Sequence, residues 1–230
     1  MLKINSGFTA GLILWDIDGT VIRVKRLDSS SPHKKVLLAE GCLIDESQLG
    51  HPGLTDYEVL LDLIKSNNGR IARRRLLNAF NSLDEESHRL DSASIFDLCP
   101  GVQSILESLI SKGWVHGILS GNTKSRILSK LENAGILNYF TRDLIFGCEF
   151  GDSREIIASR AKEFLQYNKY LRILVIGDTP SDITAARSVN FPVISVATGS
   201  FTFTQLSSCN PDLLLRDLSV DAEILLKFLN

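Results

Sequence analysis

Short apolar runs recur along the chain, and each gives way abruptly to polar residues. Gly11-Leu12-Ile13-Leu14-Trp15 is apolar throughout and stops at Asp16. Residues 115–119 stop at Ser120, and residues 172–176 stop at Gly177-Asp178. Residues 192–196 and 212–215 are two further runs of the same kind. Runs this short, without alternation, predict strands buried on both faces, as in a parallel sheet. The segments between them have helical spacing. Apolar residues at 102, 105, 106, 109 and 110 form one stripe, entered at Pro100-Gly101. Ile127, Leu128 and Leu131 lie in a second such segment, residues 125–134, with Gly135 as its C-cap. Residues 156–165 and 182–189 read the same way. Strand–helix alternation predicts an α/β fold with a doubly wound parallel sheet and right-handed crossovers.

The stretch from Arg23 to Asp97 breaks this alternation. Ser31-Pro32 starts a helix with proline at its first position, and Val36, Leu37 and Leu38 follow. Thr55-Asp56-Tyr57-Glu58 has the form of a capping box and leads into Val59, Leu60, Leu63 and Ile64. Residues 70–83 form a third, strongly basic helix, and Pro52-Gly53 and Asn67-Asn68-Gly69 are turns. The pattern therefore predicts a helical domain, residues 21–97, inserted into a core of residues 1–20 and 98–230.

Composition narrows the possibilities by exclusion. The 230 residues carry 25 Lys+Arg against 27 Asp+Glu, a net charge of -2, so no overall field attracts nucleic acid or an anionic membrane. Hydrophobic residues at 44% and charged residues at 23% suit a folded globular chain. No apolar run approaches the ~20 residues that span a bilayer. Asn5, Ser6 and Thr9 interrupt any signal-peptide core, so the expectation is a soluble cytoplasmic protein. Cys42, Cys99, Cys148 and Cys209 form no CxxC pair and read as buried thiols. His33, His51, His88 and His116 have no metal-ligand spacing, with His33 and His51 placed on the insertion where they could face a ligand. Arg70, Arg73, Arg74 and Arg75 cannot share one helix face and read as solvated. Trp15 reads as core, and Trp114 has no assignable role.

The three polar strand ends carry the chemistry. They are Asp16-Ile17-Asp18-Gly19-Thr20, then Ser120-Gly121-Asn122-Thr123, then Gly177-Asp178-Thr179-Pro180-Ser181-Asp182. Ligands of parallel α/β sheets bind beyond the carboxyl ends of strands. Four carboxylates gathered there repel one another unless a cation sits among them, and an all-oxygen site suits Mg2+. The small residues and hydroxyls suit a cradle for phosphate oxygens.

Together these residues resemble the phosphatase branch of the haloacid dehalogenase superfamily. Asp16-Ile17-Asp18-Gly19-Thr20 is similar to its DxDGT motif, Ser120-Gly121-Asn122 to its second motif, and Gly177-Asp178-Thr179 with Asp182 to its acidic fourth motif. Gly53-Leu54-Thr55-Asp56 and Pro100-Gly101-Val102 resemble the capped, phosphoglycolate-phosphatase-like members. The resemblance implies a Rossmann-like core with a helical cap. It implies Asp16 as a nucleophile that forms an aspartyl-phosphate and Asp18 as the general acid and base. The turn at Gly19 would swing Asp18 towards the leaving group, with Asp16 ionised and Asp18 protonated at the start. Mg2+ would be held by the Asp16 carboxylate, the Asp18 carbonyl and Asp178, with Asp182 behind them. Thr20, Ser120, Gly121 and Asn122 would bind the phosphoryl group. A basic third motif is implied as well; Arg154, Arg160 and Lys162 are candidates, and Phe150-Gly151-Asp152-Ser153-Arg154 favours Arg154.

The expected activity is Mg2+-dependent hydrolysis of a small soluble phosphomonoester by a monomer or homodimer with no nucleic-acid or membrane partner. A phosphomutase of the same superfamily would use the same residues and differ in whether cap closure excludes water. A non-catalytic binding protein would be expected to have lost Asp16, Asp18 or Asp178, and all three are present.

Overall fold

The computed structural model describes residues 10–24, 32–42, 52–65, 73–89, 96–166, 170 and 172–230. His51, Arg70 and the Asn67-Asn68-Gly69 turn lie outside them. In chain order the strands are β1 (Gly11–Trp15), β2 (Ile22–Val24), β3 (Phe96–Leu98), β4 (Trp114–Leu119), β5 (Ile145–Phe146), β6 (Ile173–Gly177), β7 (Val193–Val196) and β8 (Leu213–Leu215). The α-helices are α1 (Pro32–Ala39), α2 (Asp56–Lys65), α3 (Arg73–Arg89), α4 (Val102–Ser111), α5 (Lys124–Asn133), α6 (Arg154–Leu165), α7 (Pro180–Ser188), α8 (Phe203–Ser208) and α9 (Ala222–Leu229).

Six strands form one parallel sheet in the order β5-β4-β1-β6-β7-β8. From β1 the chain builds outward through β4 and β5 on one side, then crosses to build β6, β7 and β8 on the other. The order therefore reverses between β1 and β6, which is where such sheets open a crevice for ligands. Strand alternation divides the core into two layers. Ile13 and Trp15 join Leu106, Ile127 and Leu225 on one face, while Leu12 and Leu14 join Ala158, Ala161 and Ala186 on the other. The doubly wound α/β reading thus holds, because runs buried on both faces must be covered by helices on both sides.

The sequence pattern missed β2, β3 and β5, each three residues or fewer, too short to show a period. β2 and β3 pair antiparallel, Ile22 opposite Leu98 and Arg23 opposite Asp97. This ribbon carries the chain out of the sheet and back. Between its strands, α1, α2 and α3 pack around Leu37, Leu60, Ala79 and Leu83, a cluster separate from the two sheet layers. Trp114 proves to be core: it is 4% exposed, and a Cβ on Gly11 would stand 2.5 Å from its ring. Cys99 and Cys148 are buried as expected, whereas Cys42 and Cys209 are half-buried, and all four are free thiols. Among the described residues no helix is long and apolar enough to cross a membrane.

Candidate active site

The carboxyl ends of β1, β4 and β6 lie side by side because β1 pairs with both neighbours, Trp15 opposite Ile118 and Ile176. Asp16 continues β1, its N–H donating to the Ile176 carbonyl at 2.9 Å, and its side chain is 1% exposed. The chain then turns. Gly19 has φ 88°, and its N–H donates to the Ile22 carbonyl at 2.7 Å. A Cβ on Gly19 would meet the Asp178 carboxylate at 2.4 Å, so only glycine allows the turn to pass so close.

At the far side of the crevice, β6 ends in Gly177 and Asp178, and α7 begins under a reciprocal capping box. Thr179 accepts from the Asp182 N–H, and Asp182 Oδ2 accepts from the Thr179 N–H at 3.0 Å and its hydroxyl at 2.7 Å. α6 begins at Arg154, capped by Ser153. The Arg154 side chain is buried and donates to Asp16 Oδ1 at 2.9 Å and also to Asp182 Oδ1. Of the three basic candidates, only Arg154 reaches the cluster. Arg160 donates to the Phe150 carbonyl at 2.6 Å, and Lys162 donates to the Val189 carbonyl at 2.9 Å.

Asp16, Asp178 and Asp182 each place a carboxylate oxygen within 4.8 Å of the others. Asp182 has both oxygens committed to Arg154 and Thr179, whereas Asp16 Oδ2 is buried without a hydrogen-bond partner. Asp178 Oδ1 accepts from the Thr20 hydroxyl at 3.0 Å. Burial raises the Asp16 carboxyl to about 7, with Arg154 opposing and Asp182 and Asp18 adding. Burial likewise raises Asp178 to about 9, reinforced by Asp16 and Asp182. Buried oxygens of like charge, one of them orphaned, form a hard donor set that fits Mg2+.

Asp18 differs. Burial alone would raise its carboxyl, but Lys130 and Asn122 outweigh burial and hold it low. Its Oδ2 accepts from Lys130 Nζ at 2.5 Å and from Asn122 Nδ2 at 2.9 Å. Without a cation, burial thus raises Asp16 while the built-in Lys130 lowers Asp18; the expected order, with Asp16 ionised next to Mg2+, concerns the metal-bound site.

Four expected phosphate ligands are placed as follows. Ser120 lies at the end of β4, and its Oγ accepts from the Asn122 amide nitrogens at 3.4 and 3.2 Å, which leaves its own proton to donate. The Asn122 side chain is spent on Asp18, Ser120 and Lys130. The Thr20 hydroxyl is engaged with Asp178, and Thr20 is 0% exposed. Gly121 packs directly against the insertion: its carbonyl accepts from the Asp56 N–H at 2.8 Å, and a Cβ there would stand 2.8 Å from the Leu54 carbonyl.

Sequence reasoning missed a second buried polar group. Asp56 Oδ1 accepts from Arg126 and lies 2.8 Å from His33 Nε2, while Asp56 Oδ2 accepts from the Thr123 N–H at 2.9 Å. Thr55 forms the expected capping box with Glu58, and its hydroxyl also donates to the Asp152 carbonyl at 2.7 Å. Arg126 and Lys130 are four residues apart, one helical turn, and so share a face of α5, a signal the apolar pattern of that helix did not draw on. Both turn inward on α5. A cavity of about 410 Å³ opens above Asp18 and Asp178, lined also by Arg23, His33, Leu54 and Arg126.

A family model for haloacid dehalogenase-like hydrolases matches residues 13–196. The chain belongs to this family. Among curated relatives of this hydrolase is a phosphoglycolate phosphatase of Vibrio parahaemolyticus, 24% identical over 93% of this chain and 95% of that one. A predicted phosphoglycolate phosphatase of Haemophilus somnus superposes with TM-score 0.70 at 19% identity, covering 95% of this chain and all of that one. The CbbY protein of Rhodobacter sphaeroides, solved in complex with phosphate, gives TM-score 0.70 at 16% identity over 92% and 96% of the two chains. At these identities the solved structures establish the shared fold.

Proposed function

We propose that this hydrolase is a Mg2+-dependent phosphatase acting on a small phosphomonoester, with residues 21–97 as a cap over a core of residues 1–20 and 98–230. The observation that carries the reading is Asp16. It stands at the end of β1 with one oxygen held by Arg154 and the other buried and unpartnered. Such a carboxylate is fixed for attack on phosphorus.

In this reading an Asp16 oxygen bonds to phosphorus as the ester bond breaks, and Asp18 gives a proton to the departing oxygen. Asp18 is ionised in the free protein, so it takes up that proton when the dianionic phosphoryl group enters beside it. Water then loses a proton to Asp18 and attacks phosphorus, which frees Asp16 and inorganic phosphate. Ser120 and Arg154 hold phosphoryl oxygens, and Asn122 and Lys130 aim Asp18. Asp16, Asp178 and the Asp18 carbonyl would hold Mg2+, which supplies the charge that keeps these carboxylates ionised and offsets the phosphoryl oxygens.

The test is phosphate release from a panel of small phosphomonoesters, with chelator and then with Mg2+ restored. Stoichiometric inorganic phosphate supports hydrolysis. Transfer of the phosphoryl group to another position of the substrate, without release, would assign the site to mutase chemistry instead.

A further inference from the structure

Three cationic side chains line the cavity: Arg23, Arg126 and Arg154. Two of them are already neutralised. Arg126 pairs with Asp56, and Arg154 pairs with Asp16 and Asp182. Arg23 is exposed, and among the described residues no carboxylate lies within salt-bridge distance of it. It is also held firmly relative to the reaction centre. It follows Ile22, whose N–H donates to the Ile17 carbonyl at 3.0 Å and whose carbonyl accepts from Gly19 at 2.7 Å. The insertion contributes Pro52, Leu54 and Val59 to the same cavity, together with His33 and Asp56, which are engaged with each other and with Arg126. A ligand whose phosphoryl group sits over Asp16 therefore has its remaining atoms in a space lined by apolar groups of the insertion, by the mutually paired His33, Asp56 and Arg126, and by one guanidinium that has no ion-pair partner among the described residues.

Resting on the phosphatase reading, we propose that Arg23 selects substrates whose leaving group carries its own anionic group, a carboxylate or a second phosphate. A guanidinium offers paired donors to either oxyanion, and in a half-enclosed cavity that contact outweighs what it gains in water. A neutral leaving group would leave Arg23 unmatched. The two oxyanions share this chemistry, and the experiment separates them.

Three esters built on one two-carbon skeleton make the comparison: 2-hydroxyethyl phosphate, 2-phosphoglycolate and ethylene glycol bisphosphate. The wild-type protein with Mg2+ should show kcat/KM at least about tenfold higher for one or both charged esters than for the neutral one, mostly through KM. Whichever charged ester leads identifies carboxylate or phosphate as the group recognised. In Arg23→Gln the ratio of charged to neutral should fall towards one, and Arg23→Lys should keep part of it. Equal kcat/KM on all three esters in the wild type would overturn the proposal. So would a charged-to-neutral ratio unchanged in Arg23→Gln, or one that falls only in a variant whose thermal unfolding shows lost structure. Failure to release phosphate from any ester would instead overturn the phosphatase reading on which this one rests.

Discussion

Asp16 and Asp18 stand two residues apart, yet their surroundings drive their carboxyl groups in opposite directions. Burial raises Asp16 to about 7, whereas Lys130 and Asn122 hold Asp18 low against the same burial. Such a divergence suits a pair that divides nucleophilic and proton-transfer work. Asp16→Asn keeps the shape and removes the nucleophile, so kcat should fall by about a thousandfold or more with thermal unfolding little changed; a steady-state phosphate-release assay beside a melting curve checks both. Arg154 touches Asp16 and Asp182, while Arg160 reaches only the Phe150 carbonyl. Arg154→Ala should therefore lower kcat by about a hundredfold, and Arg160→Ala by no more than about threefold. The reverse order in the same assay would move the basic third motif away from Arg154.

At the scale of elements, the N-terminus of α5 is the junction between insertion and core. Thr123 caps α5, its N–H donates to Asp56 at the start of α2, and its hydroxyl donates to Asp84 on α3. Two insertion helices thus meet one core helix end, whose positive dipole favours the two carboxylates. Asp56 is held far below the usual carboxylate range: burial alone would raise it, and Arg126 and His33 more than reverse that. A carboxylate with a depressed folded pKa contributes stability above its unfolded value and loses it as pH falls through the folded one. Arg126→Met leaves Asp56 buried without its cation and should destabilise the protein by about 3–5 kcal/mol at neutral pH. Urea denaturation measures the loss, which should shrink in acid as Asp56 takes a proton.

For the whole molecule, the acidic cluster ties stability to pH and to divalent cations. Asp16 and Asp178 are raised from 3.8 to about 7 and about 9, so between about pH 4 and 9 these two groups bind more protons in the folded chain than in the unfolded one. Their contribution to stability without metal then falls as pH rises through that range. In the proposed site Mg2+ would bind the ionised carboxylates, and only in the folded state, so the increase in Tm on adding it should grow from pH 5 to pH 9. Thermal melts with Mg2+ or chelator across that range test the sign, and an increase independent of pH would contradict it. Scale also governs substrate size. A cavity of about 410 Å³ between core and insertion suits a metabolite rather than a polymer. Small phosphomonoesters should show kcat/KM far above a phosphopeptide or a 3′-phosphorylated oligonucleotide.

The chain by itself determined the sheet and the position of the reacting groups along it. Strands buried on both faces must be written as continuous apolar runs, and each run ends where the strand reaches the polar crevice, so Asp16, Ser120 and Asp178 were legible from local pattern. The capping box at Thr55 was legible for the same reason, since its partners are three residues apart. Tertiary structure alone decided what those groups touch. Lys130 reaches Asp18 across 112 positions of sequence, Arg126 reaches Asp56 across 70, and the Thr20 hydroxyl turns to Asp178 across 158. No local period records such contacts. On α5 an arginine and a lysine one turn apart become the partners of two carboxylates only when the fold brings Asp56 and Asp18 to that helix face.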